Sequence, residues 1–268
     1  MKSIKILSGL FLSGLFFIST THVKAEEIKL DEVKLEEVKI ENSTNDSEIY
    51  TYIEKDGTYS ENQAIVIEAE VRNKDFIDFK MAISDVMDNS DKKLEIDNDF
   101  NTIEVVDEAK NIVETEISFF DIEDENGNDL TDRVISQTVD GNNITQRVDV
   151  SGIQGTLTAT AYASGAYSYS HYFSSSKWIT RTDGISLSIQ PKSTLTAGTS
   201  NPNYGAIRAS DSWNRIVEKH SKDSKWKNTS SMKSQYICHY NNAKSFKTPW
   251  NLEPRRTGTA TLKNLCNP

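Results

Sequence analysis

The charges of this chain are sorted by position. From Glu26 to Val150 there are 35 acidic and 12 basic residues, a net of −23, and from Ser151 to Pro268 there are 5 acidic and 15 basic, a net of +10. An asymmetry of that size between halves argues for two modules with different partners rather than one evenly mixed domain. The texture changes at the same place. The first half is dense in Asp, Glu, Ile and Val, while the stretch from Ser151 is poor in charge and rich in Gly, Ala, Ser, Thr and Tyr.

The N-terminus reads as an export leader. "MKSIK" is a short basic segment, "ILSGLFLSGLFFIST" is an apolar run shorter than a comfortable membrane span, and "VKA" places small residues before a cut that would leave Glu26 first. Residues 1–25 are therefore expected to be a signal peptide and the protein to be secreted and extracellular, with no transmembrane segment after cleavage. Two cysteines, Cys238 and Cys266, remain, and in an oxidising compartment an even pair is expected to form a disulfide. Their spacing does not fit a zinc knuckle, and His171, His220 and His239 are the histidines left after processing, so neither metal nor cofactor is expected.

Residues 26–48 repeat "IKLDE", "VKLEE" and "VKIE" with a period of five. That period matches neither a strand nor a helix, so a disordered acidic arm is expected. Residues 49–150 read as an acidic α+β or β-rich module. In it "QAIVIEAEV" fits strand or helix, "FIDFKMAISDVM" has helical spacing, and "RVISQTVDGNNITQRVDV" suggests a hairpin turning at Asp140-Gly141. A calcium loop around Asp121 to Asp129 fails, because with Gly127 in sixth place Ile122 falls where an acid is needed and Arg133 where a glutamate is needed. Residues 151–166 read as a linker.

Residues 167–268 read as a small, basic, disulfide-tied α+β domain. Strand-like character around Tyr167 to Phe173 is followed by "GISLSIQP", an alternating strand, and by the loop "LTAGTSNPNYGA". "SDSWNRIVEKHSKD" then reads as a helix capped by Ser210 or Asp211, and "QYICHY" as a strand. The motifs "KWITRTDGISLSIQP", "SWNRIV", "QYICHYNNA", "WNLEPRR" and terminal "CNP" together resemble the domain of unknown function 2599 family, over roughly Tyr167 to Pro268. The resemblance implies a secreted protein, mostly of Gram-positive bacteria, in a family without an assigned activity. No catalytic residue is carried over from it. The sequence departs from the family pattern at Thr257, where proline usually follows the arginine.

The stretch Ile237 to Arg256 admits two readings. As an enzyme site, His239 would be a general base oriented by Glu253 or Asn251, with Arg256 as an anion clamp. As a structural knot, a Cys238–Cys266 bridge would close over Trp250, Glu253 would pair with Arg255 or Arg256, and Pro249 and Pro254 would fix the bends. Two functions follow. One is a non-enzymatic binding module for an anionic partner, such as a cell-envelope polymer, a protein face or nucleic acid, with Trp178, Arg181, Trp250, Asn251, Arg255 and Arg256 as candidate contacts. The other is a secreted hydrolase or toxin centred on His239 and Glu253.

Overall fold

The computed structural model describes residues 48–55, 61–83, 91–165, 167–199, 201–243 and 246–268. The expected leader and nearly all of the expected acidic arm lie outside them. The chain divides into two compact units, the first running through Gly165 and the second from Ala166. Strands and helices are both present, and the Cys238–Cys266 disulfide ties the C-terminal end.

The first unit is built of strands. In order they are β1 (Glu48–Lys55), β2 (Glu61–Val71), β3 (Phe76–Ala82), β4 (Lys92–Asp97), β5 (Thr102–Asp107), β6 (Ile112–Ser118), β7 (Asp121–Asp124), β8 (Val134–Asp140), β9 (Asn143–Asp149) and β10 (Gly155–Gly165). One antiparallel sheet has the order β1-β2-β10-β6-β5-β4, with β7 also on β10, and the other is β3-β9-β8. Both contribute to one apolar core. Ile65 and Ile67 of β2, Ile103 of β5, Ile117 of β6 and Leu157 of β10 meet Phe79 and Met81 of β3 and Ile144 and Val148 of β9. Each such side chain contributes about 1.5–3 kcal/mol on leaving water.

Two expectations are corrected here. "FIDFKMA" is strand β3 and not a helix. Its buried residues Ile77, Phe79 and Met81 alternate with half-exposed Asp78 and Lys80, a period of two that outweighs the three- and four-residue spacings in the same stretch. The expected linker 151–166 is largely β10, a strand inside the first sheet. Its Gly, Ala and Thr look flexible, yet Leu157, Ala159, Ala161 and Ala163 alternate onto the core, and burial overrides weak strand propensity. The hairpin at Asp140-Gly141 forms as read, with Gly141 at φ +58, and Asp140 pairs with Asn143. The acidic turn after β7 is closed by Asp124, whose carboxylate accepts from the N–H groups of Asn126 and Asn128 at 2.8 and 2.9 Å.

The second unit holds the antiparallel sheet β11-β12-β13, formed by Phe173–Arg181, Gly184–Pro191 and Trp250–Leu252. Around it are helices α1 (Tyr169–Tyr172), α2 (Ser193–Thr196), α3 (Pro202–His220) and α4 (Thr229–Ala243). The strand expected from Tyr167 becomes the α1 turn and begins only at Phe173. Helix α3 starts well before Ser210. Asn201 caps it by accepting from the Tyr204 N–H at 3.1 Å, and Pro202 takes the first turn, where its missing N–H is harmless. Ser210 and Asp211 are instead buried within it. "QYICHY" belongs to helix α4 and is not a strand. Met232, Gln235, Tyr236, His239, Tyr240 and Ala243 recur at three and four residues and form its buried stripe.

Candidate functional site

The stretch Ile237 to Arg256 folds as the end of α4, a connecting turn and β13. Trp250 pairs across from Ile189 and is fully buried, edge-on to Tyr236 at 5.7 Å and parallel to His239 at 6.1 Å between ring centroids. His239 is 2% exposed, and neither ring nitrogen has a hydrogen-bond partner among the described residues. Burial, helped by the Lys247 charge and opposed by the Asn251 backbone, pushes its pKa down to about 4. The ring is thus neutral at ordinary pH.

Glu253 is also buried, and Gln235 of α4 holds it at both backbone groups. The Glu253 N–H donates to Gln235 Oε1 at 2.7 Å, and its carbonyl accepts from Gln235 Nε2 at 3.2 Å. Its carboxylate takes Arg255 at 3.2 Å and Arg256 Nε, while Arg256 Nη1 donates to the Pro268 carbonyl at 2.6 Å. Arg255 also bridges to Asp183 in the β11–β12 turn. Glu253 and Arg256 therefore meet, but among the described residues no hydrogen bond joins either to His239. The Cys238–Cys266 bridge, with Cα atoms 5.4 Å apart, fastens the C-terminal segment along α4.

The binding candidates separate. Trp250 has no exposed surface and is corrected from a contact residue to a core residue, because its indole fills the space between β13 and α4. Half-buried Asn251 donates to the Pro249 carbonyl at 3.3 Å. Arg255 and Arg256 hold Glu253 as described, Arg181 is exposed at the end of β11, and Trp178 is half-buried in the middle of that strand.

Trp178 belongs to a cluster that the sequence does not single out. His220, at the end of α3, hydrogen-bonds Ser176 Oγ through Nε2 at 3.0 Å. It meets the Tyr169 and Trp178 rings edge-on at 5.8 and 6.3 Å. The Lys219 ammonium lies 3.6 Å from the Tyr169 ring centre and that of Lys225 5.9 Å from Trp178. Burial, with the Lys219 charge behind it, lowers the His220 pKa, and burial raises Tyr169 to about 12. A β-bulge between Phe173 and Ser175 shifts the register just before Ser176. Four separate segments supply these groups, so the traces in the sequence are faint: "SSKW" in a strand and a histidine on the helix face that carries Trp213.

Gln235 clasping the "WNLEP" strand, the "SWNRIV" helix and the bridge to the terminal "CNP" all fall in one continuous region. That region matches the DUF2599 family. The match spans residues 173–268, and the family model is described as protein of unknown function. It begins at the first residue of β11, so Ser176, Trp178, His220, His239 and both cysteines lie within the DUF2599 region while Tyr169 precedes it. No curated protein and no solved structure matches the chain.

Proposed function

We propose that the protein is exported and that its DUF2599 region is a non-enzymatic binding module for anionic extracellular partners. One observation carries this reading. Three exposed lysines, Lys219, Lys222 and Lys225, fall on the end of α3 and the following loop, and the ammonium groups of Lys219 and Lys225 lie by the half-buried rings of Tyr169 and Trp178. Cations beside aromatic faces suit phosphate- or carboxylate-bearing polymers. The interior packing of His239 and Glu253 supports a structural role for the stretch that an enzyme would need open. The disulfide supports export, since such bonds persist in oxidising compartments.

The test is retention of the chain on a polyphosphate matrix across a salt gradient. A Lys219→Glu/Lys222→Glu/Lys225→Glu variant should elute at clearly lower salt with an unchanged melting point. Identical elution of the two proteins would sink the reading. A hydrolase centred elsewhere than on His239 and Glu253 would draw on a different observation, the 3.0 Å contact between Ser176 and His220. Fluorophosphonate labelling of Ser176 that is lost in His220→Gln would favour it over simple binding.

A further inference from the structure

Among the described residues of the second unit, three large apolar side chains are exposed by more than half, and all three follow α4 in sequence. Phe246 is 78% exposed, Leu262 63% and Leu265 71%. The chain path brings them toward one end of the helix. Ala260 N–H donates to Ser234 Oγ at 2.7 Å, and six residues later Cys266 is bonded to Cys238, so residues 260–266 run along α4 toward its C-terminus. Phe246 N–H donates to the carbonyl of Ala243, the last residue of that helix. Ala243 lies about 7.5 Å beyond Cys238 along the axis at 1.5 Å per residue. Leu262 opens a 3₁₀ turn that runs to Asn264, and Leu265 closes it, its N–H donating to the Leu262 carbonyl at 3.0 Å.

The backbone is bent to present them. Leu265 and Cys266 both sit in the left-handed region, at φ +55 and +62, an unfavourable conformation for residues with a Cβ. Charge frames the apolar groups. Lys247 and Lys263 are exposed beside them, and Glu253, the acid present between Phe246 and Pro268, is buried against two arginines. Side chains exposed by more than three-fifths protrude rather than line a groove.

We propose that this tip, Phe246, Leu262 and Leu265 flanked by Lys247 and Lys263, inserts into the interface of an anionic lipid bilayer. Bulky apolar groups seated among acyl chains with lysines at headgroup level is the composition such an interface selects. The lysine-aromatic face lies toward the other end of α4, reached through the loop that leads into Thr229, so the two surfaces are separable.

The experiment is vesicle flotation of the Glu26–Pro268 chain, which keeps both units whole. Vesicles of phosphatidylcholine alone are compared with equal parts phosphatidylcholine and phosphatidylglycerol. The parent should float with the mixed vesicles and not with the neutral ones. Phe246→Ser/Leu265→Asn should weaken partitioning at least tenfold with an unchanged far-UV spectrum. Asparagine is chosen because it tolerates the left-handed backbone at 265. Ile135→Ser, which removes an exposed apolar side chain of the first unit, should partition within twofold of the parent. The proposal is overturned if the parent does not float with either vesicle or if the apolar variant partitions as the parent does. It is also overturned if Ile135→Ser weakens partitioning as much as the apolar variant does, or if sedimentation shows that the apolar substitutions dissociate a dimer.

Discussion

The His239 imidazole lies parallel to the Trp250 indole, planes 7° apart and centroids 6.1 Å apart, with neither ring nitrogen hydrogen-bonded among the described residues. In the unfolded chain the same histidine titrates near 6.5, whereas burial lowers it to about 4 in the fold. Between those values the unfolded state binds a proton that the folded state does not. Stability therefore falls as pH drops from 6.5 to 4, by about 3 kcal/mol, and this contribution is level outside that window. Relative to the parent, His239→Leu should gain stability progressively over that interval. All four tryptophans lie in the second unit, so fluorescence-detected denaturation reports it selectively. A constant parent–variant difference from pH 4 to 7 would contradict the assignment.

Asp211 carries the opposite sign. It is fully buried on α3, accepting from Tyr172 at 2.7 Å and the Tyr167 N–H at 3.1 Å, with Arg215 Nε 3.3 Å away. Burial outweighs these partners and raises its pKa to about 6 from 3.8. The folded state then holds a proton that the unfolded chain releases, so this contribution is present below about 3.8 and is lost as pH rises toward 6. Relative to the parent, Asp211→Asn should lose less stability as pH rises through that window, a trend opposite to that of His239→Leu. The same denaturation series checks it, and parallel trends in the two variants would refute the pairing.

The Cys238–Cys266 bridge joins residues 28 apart in sequence. On the chain-entropy model a loop of that length contributes about 3–4 kcal/mol. Cys238→Ala/Cys266→Ala should lower the fluorescence-detected melting point by roughly 15–25 °C. A reducing agent should lower the parent similarly and leave the variant unchanged. A drop under about 5 °C in the variant would show that the reduced loop is already ordered.

In the first unit Gln146 of β9 is fully buried and replaces a missing strand partner. Its Oε1 accepts from the Phe120 N–H at 3.0 Å, and its Nε2 donates to the Phe120 carbonyl at 2.8 Å. Phe120 lies between β6 and β7 and has no ladder of its own there. Gln146→Leu strands two buried backbone groups and should cost about 2–5 kcal/mol. Urea unfolding followed by far-UV circular dichroism would measure it, and a loss below about 1 kcal/mol would mean the strand edge finds other partners.

How far the sequence was legible follows from which forces were local. The Asp140-Gly141 turn, the strand "GISLSIQP" and the cysteine pair depend on near neighbours or on an even cysteine count, and each appears in the fold, although Ser186 and Ser188 are buried and Ile185 is exposed against the alternation. β3 and β10 were misread because burial chose between competing patterns there. "QYICHY" was misread because aromatic and β-branched residues suggested a strand, while its helical stripe becomes plain only once Met232 and Ala243 are counted with it. Within the candidate site, Glu253 with Arg256 was visible from adjacency. The meeting of Ser176 with His220 was not, because 44 positions and three turns of chain separate them.

β10 is the last strand of the first unit in sequence, yet it lies inside its sheet, between β2 on one side and β7 and β6 on the other. A chain that emerges from its N-terminus makes every other strand of that unit before the one that joins them. Until the residues up to Gly165 are free, β2 and β6 present unpaired edges to whatever is nearby. Closing the sheet then requires contacts distant along the chain, which makes folding slow. The order in which this chain is made thus holds its acidic half open until the basic half is about to begin.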